Sequence, residues 1–210
     1  FSTKKLPHAY RLVNHLFKRQ GNEHTSFLLS QYDGEIAYLD NNLGDLFSFL
    51  KENNLYNKSM IVVTSDHGEL FNEHGISGHR QELYQGAVHV PLLIKFPNST
   101  AIGRNQNLIT LSDVFATIIA HTGLGKPDNL SGISMGIPTR PIVTELMHPK
   151  YGEHRALYYE NYKLMHFPKE KRYELYNIKV DPNEKHNLIG KDLVFSKRLI
   201  KKLEHWIQNH

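Results

Sequence analysis

MIVVTSDHGELFNEHG, Met60 to Gly75, is the stretch on which the reading of this chain turns. Its first half is a short apolar run rich in β-branched residues, Ile61-Val62-Val63-Thr64. Such runs form strands buried on both faces, as in parallel sheets. The run ends abruptly in Asp66-His67-Gly68-Glu69. In open α/β sheets ligands bind beyond the carboxyl ends of strands, so an ionisable pair at this point is a candidate site. Within a strand, neighbouring side chains point to opposite faces. Asp66 and His67 can therefore reach one ion only if the strand has ended and the chain is turning, which Gly68 permits. A carboxylate oxygen and an imidazole nitrogen make half a site for a divalent cation. That donor pair suits Mn²⁺ or Zn²⁺ better than Ca²⁺, which prefers all-oxygen shells. The same pair could instead cap a helix and hydrogen-bond its own loop, and spacing alone does not choose.

Upstream of this strand, Ile36, Leu39, Leu43, Leu46, Phe47 and Leu50 recur at spacings of three and four from about Leu28 onward. That is one apolar stripe on a helix, which Asn53-Asn54 ends. Helix then buried strand is the α/β rhythm. Residues 1–27 are polar, with weak helical character around Ala9–Phe17. Downstream, Gly68–His89 reads as a long His-bearing loop with a helical turn at RQELYQGA, and VPLLIKF (Val90–Phe96) as a second buried strand. Ser112 is placed as the N-cap of a helix whose stripe is Val114, Phe115, Ile118 and Ile119, with Gly123 as its stop. PIVTEL (Pro141–Leu146) is a third strand candidate. After about Pro149 the pattern shifts to strand-like runs joined by Glu160-Asn161, then to Leu199, Leu203 and Trp206 on a terminal amphipathic helix. The expected fold class is α/β: a partial parallel or mixed sheet flanked by helices, then a small antiparallel sheet and a C-terminal helix.

The 210 residues are 40% hydrophobic and 22% charged, enough to bury a core without help from metal or disulfide. A net charge of +4, spread along the chain apart from PKEKR (168–172), is not a nucleic-acid footprint, so no such partner is expected. The absence of cysteine excludes a disulfide framework and a thiol nucleophile. No apolar run reaches the roughly 18 residues of a membrane span. The chain starts with Phe1, and a piece of a longer protein is expected; localisation and oligomeric state stay open.

Several motifs, in order, resemble the sulfatases of the alkaline-phosphatase superfamily. YDGEIAYLDNN resembles their Tyr-x-x-Glu-x-x-x-x-Asp helix, and MIVVTSDHGE the strand that follows it. EHGISGHRQELYQGAVHVPLLIKFP is similar to the next family segment. LSDVFATIIAHTGL resembles the Asp-x-x-Pro-Thr helix, with Ala116 replacing Pro, and YELYNIKVDPNEKHNL the late signature. The match runs over roughly residues 28–207. It implies that Asp66 and His67 ligate the active-site divalent metal (Ca, Mn or Zn). It implies that His79 contacts the sulfuryl or phosphoryl oxygens and assists the leaving group. His74 would line the same loop; His89 would be structural, and Asp181 and Glu184 part of a structural turn. The family nucleophile, a formylglycine made from Cys/Ser-x-Pro-x-Arg, has no counterpart here, since neither a cysteine nor Ser-x-Pro-x-Arg occurs. The resemblance therefore implies the C-terminal part of a sulfatase-like catalytic domain (1–149) with a sheet-plus-helix subdomain (150–210). The nucleophile half lies elsewhere, and the piece by itself is expected to be inactive. The expected substrate is a sulfate or phosphate ester. The alternatives are a phosphodiesterase, phosphonate hydrolase or lipid-headgroup phosphotransferase of the same superfamily, or a non-catalytic α/β binding domain.

Overall fold

A computed structural model of the chain describes residues 22–79, 82–100, 102–125, 127–135 and 140–209. The helical character read around Ala9–Phe17 lies outside the described residues, as do Arg80 and Gln81 at the start of the expected turn. The described residues form two compact units: 22–79 with 86–100, and 82–85 with 102–209.

In the first unit, helix α1 spans Asn22–Glu52, starting well before Leu28. It stops where Asn54 turns left-handed (φ 56°) and the amides of Leu55 and Tyr56 both return to the Leu50 carbonyl. Leu43, Phe47 and Leu50 are half-buried, but Ile36, Leu39 and Leu46 keep about half their surface exposed (51%, 55% and 49%). Much of the apolar stripe is thus left uncovered by the described residues. Strand β1 (Ile61–Thr64) forms as expected, and its partner is β4 (Leu92–Lys95). The pairing is antiparallel, Val62 opposite Ile94 and Thr64 opposite Leu92, where the apolar run had suggested parallel neighbours. The physical reason lies in the connection. A parallel return needs a crossover, usually a helix, of a dozen residues or more. The chain between β1 and β4 holds instead a small hairpin, β2 (Leu70–Phe71) and β3 (Ser77–Gly78), and the single-turn helix α2 (Gln85–Val88).

The second unit begins its helical part with α3 (Leu111–Thr122). Thr110, not Ser112, is the N-cap: its hydroxyl accepts from the Asp113 amide while the Asp113 carboxylate accepts from the Thr110 amide. This reciprocal pair satisfies two orphan donors, which Ser112 inside the first turn could not do. Gly123 ends the helix left-handed at φ 69°, as expected. A four-stranded antiparallel meander follows, β5 (Ile142–His148), β6 (Gly152–Tyr159), β7 (Tyr162–Phe167) and β8 (Arg172–Asn177), in that spatial order. The third strand candidate therefore belongs to this sheet, pairing Val143 with Leu157, and not beside β1. Helix α4 (Leu193–Gln208) lays Leu199 and Leu203 on Leu157, Leu164 and Leu175 to form the core. The architecture is thus mixed α/β, with small antiparallel sheets and an amphipathic C-terminal helix.

The DPNEKHN turn serves this unit. Asp181 accepts from the amides of Lys185 and His186. Glu184, left-handed at φ 53°, is buried against the Lys163 ammonium at 2.7 Å and also accepts from the Gln85 amide. Lys163 donates to the Leu83 carbonyl as well.

Candidate functional site

The site is built from the carboxyl end of β1 and from the hairpin that follows it. Past Thr64 the chain turns through Ser65, whose hydroxyl donates to the His67 carbonyl. Gly68 then passes so close to α2 that its amide donates to the Ala87 carbonyl at 2.7 Å. A Cβ at Gly68 would stand 2.1 Å from the Gly86 carbonyl oxygen, so no other residue fits without moving the backbone. That close approach sets the direction in which Asp66 and His67 leave the strand.

Their side chains converge. Asp66 Oδ2 lies 3.6 Å from His67 Nε2, and Asp66 Oδ1 accepts from the His67 amide. The His67 amide and the nearby imidazole hold the Asp66 carboxyl below its ordinary pKa. Both side chains are open to solvent, at 86% and 43% exposure. His67 Nδ1 sits 2.9 Å from the Gly68 carbonyl oxygen. A carbonyl only accepts, so Nδ1 donates to it, and Nε2 is the ring nitrogen left to face Asp66 and the solvent.

The hairpin supplies the rest. Leu70 pairs with Gly78 and Phe71 with Ser77, so one step further along the register Glu69 faces His79. Their side chains meet at 2.7 Å, His79 Nδ1 to Glu69 Oε2, both mostly buried. The carboxylate thereby orients the His79 ring and directs its other nitrogen away. The His79 ring stacks on His67, centroids 3.7 Å apart. The donor atoms of His67, Glu69 and His79 all lie within 4.8 Å of one another. Two donor sets thus share His67: Asp66 with His67 on the solvent side, and His67, Glu69 and His79 across the hairpin. Mixed nitrogen and carboxylate donors in this number fit a divalent transition cation such as Mn²⁺ or Zn²⁺.

The three residues singled out from the sequence, Asp66, His67 and His79, are brought into one cluster. His74 lies in the exposed turn of the hairpin, left-handed at φ 56°, and is not a member. His89 is exposed between α2 and β4. Glu69 stood beside them in the sequence without a role. The signal that could have found it is the hairpin register, since Asn72 and Gly75 mark a turn that puts 69 and 79 opposite each other.

The Sulfatase family profile matches residues 6–124, more than half of the chain, and the chain belongs to that family. It is 26% identical over 184 residues to an N-acetylglucosamine-6-O-sulfatase of Bacteroides thetaiotaomicron, covering 78% of this chain and 32% of that protein. It is 34% identical over 104 residues to arylsulfatase K of Homo sapiens, covering 50% of this chain and 19% of that one. In three dimensions it is similar to a phosphonate monoester hydrolase from Silicibacter pomeroyi, with a TM-score of 0.78 and 22% identity over 91% of this chain and 43% of that one. The chain spans less than half the length of each of these proteins.

Proposed function

We propose that this chain belongs to a metal-dependent sulfuric ester hydrolase that acts on a sulfated saccharide. The observation that carries the reading is the convergence of Asp66, His67, Glu69 and His79 where β1 ends, in a chain of the sulfatase family. Asp66 and His67 are the residues that would hold a divalent cation, with His67 presenting Nε2 because Nδ1 is bound to the Gly68 carbonyl. A bound cation supplies Lewis-acid polarisation of the ester oxygens and lowers the pKa of the attacking group. His79, its Nδ1 held by Glu69, presents Nε2 to the departing oxygen and donates a hydrogen bond or proton to it. The attacking group, a formylglycine in this reading, comes from chain beyond these residues. The 210-residue piece is accordingly expected to bind metal weakly and to show no turnover. The saccharide class follows the name of the Bacteroides relative.

The test uses the full-length protein with Mn²⁺ or Ca²⁺, offered an aryl sulfate, glucosamine 6-sulfate and a phosphonate monoester. Sulfate release should dominate. It should fall in Asp66→Ala by more than the roughly 10–100-fold typical of losing an outer partner of a metal site. Preferred release of phosphonate would move the assignment to the second reading, which the fold likeness to the Silicibacter enzyme favours. Unchanged activity in Asp66→Ala would remove the metal role.

A further inference from the structure

Helix α4 carries its charges unevenly. At about 100° per residue, Arg198, Lys201, Lys202 and His205 fall within roughly 100° of arc. Leu199 and Leu203 face the sheet. The one carboxylate of the helix, Glu204, points to the far flank, where its charge acts on His166 and Tyr173. The basic flank borders a groove of about 500 Å³ that also takes in Pro141, just before the edge strand β5, and the half-buried Trp206. Among the described residues no carboxylate lines the groove, and none of Arg198, Lys201 and Lys202 has an ion-pair partner. Arg198 and Lys202 are instead held over the Tyr159 ring, at 5.6 and 4.7 Å.

We propose that this groove binds an anionic, sulfated stretch of saccharide chain, with Arg198, Lys201 and Lys202 on its sulfate groups and Trp206 and Pro141 under a sugar ring. The choice of saccharide rests on the function proposed above; the charge and shape of the groove do not. Sulfate esters are permanently charged, and guanidinium and ammonium groups recognise them as they do phosphate. An apolar floor beneath a cationic wall matches a sugar ring that has a C–H face and charged substituents. The volume lies within the range of small-ligand sites. A nucleic acid is the poorer fit, because three fixed cations in one groove and a net charge of +4 do not make the basic stripe that tracks a phosphate backbone.

The experiment is a titration of the full-length protein with a fluorescently labelled sulfated hexasaccharide of glucosamine and uronic acid. Its unsulfated counterpart and a single-stranded DNA of similar charge serve as controls. The sulfated chain should bind, weakening as salt is raised, and the unsulfated one should not. R198A/K201A/K202A should weaken binding at least about tenfold, since each exposed ion pair contributes up to about a factor of five. Alanine favours helix at these exposed positions, and the thermal midpoint of the triple variant reads whether the fold is kept. The single reversal Lys201→Glu gives the same reading with less change. Equal affinity for the DNA, equal affinity for the unsulfated chain, or unchanged binding in both variants would overturn the proposal. Because the readout is binding, a parent protein that binds as described but hydrolyses no sulfate ester would overturn the hydrolase reading and leave this one standing.

Discussion

Replacing Lys163 by Met is the sharpest single perturbation of the second unit. The Lys163 ammonium is 0% exposed and the Glu184 side chain 1% exposed, 2.7 Å apart. At an effective dielectric of about 20, two charges at that distance attract by about 6 kcal/mol. Most of that only offsets the desolvation of both ions. Burial dominates at Lys163, pulling its pKa down to about 8 against the opposing pull of Glu184. The pair is thus close to balanced as a pair and costly to break. Lys163→Met strands a buried carboxylate whose remaining partner is the Gln85 amide, and should cost about 3–5 kcal/mol. At about 2–4 °C per kcal/mol for a chain of this size, the thermal midpoint should drop by roughly 6–20 °C. The double variant Lys163→Met with Glu184→Gln removes both charges and keeps an acceptor for the Gln85 amide. It should recover at least about 1 kcal/mol relative to the single change, a coupling that two distant residues would not show. Urea unfolding followed by circular dichroism measures both. A single-variant loss below about 1 kcal/mol, or strict additivity in the double, would refute the buried-pair reasoning.

Three further outcomes are expected. Glu69→Ala should lower kcat by about 10–100-fold, with Glu69→Gln retaining much more because its amide oxygen still accepts from His79 Nδ1; steady-state kinetics of the full-length protein separate the two, and equal losses would deny Glu69 its positioning role. Gly68→Ala should cost about 1–3 kcal/mol through the forced shift against Gly86 and should weaken metal affinity, read by unfolding and by metal titration. Asp113 is the pH test. Burial alone would raise its pKa, but the amides of Ile133 and Thr110, the Thr110 hydroxyl and the Arg140 guanidinium together hold it below the ordinary 3.8. Its stabilising contribution is therefore fully present above about pH 4 and lost as pH falls through the depressed value. Asp113→Asn should be less stable than the parent at neutral pH by about 2 kcal/mol, and the gap should close in strong acid; a gap independent of pH would be the wrong result.

Local chemistry made much of this chain legible in advance. The period of the apolar residues is enough to mark α1, α3 and α4. The β-branched run is enough to mark β1, and the succession of motifs is enough to mark the family. Asp66 and His67 were readable because they sit where a strand must end and a glycine allows the turn. What pairs with what was not readable. The identity of a strand is local, but its partner depends on how the intervening chain returns. That is why β1 met β4 antiparallel and Pro141–Leu146 joined the late sheet. The N-cap moved from Ser112 to Thr110 because the reciprocal bond with Asp113 needs a spacing of three.

The sequence by itself therefore determined which segments are helix or strand, and it marked Asp66, His67 and His79 as candidates, the first two from side-chain type at a strand end and the third from the family resemblance. Only the tertiary structure decided that Glu69 grips His79, that His79 lies on His67, and that the partner of the structural Glu184 is Lys163. Those contacts join residues ten to twenty-one positions apart, across turns whose geometry is set by backbone approach at Gly68 and by hairpin register. No local periodicity encodes such distances, because they are fixed by what the folded chain packs against.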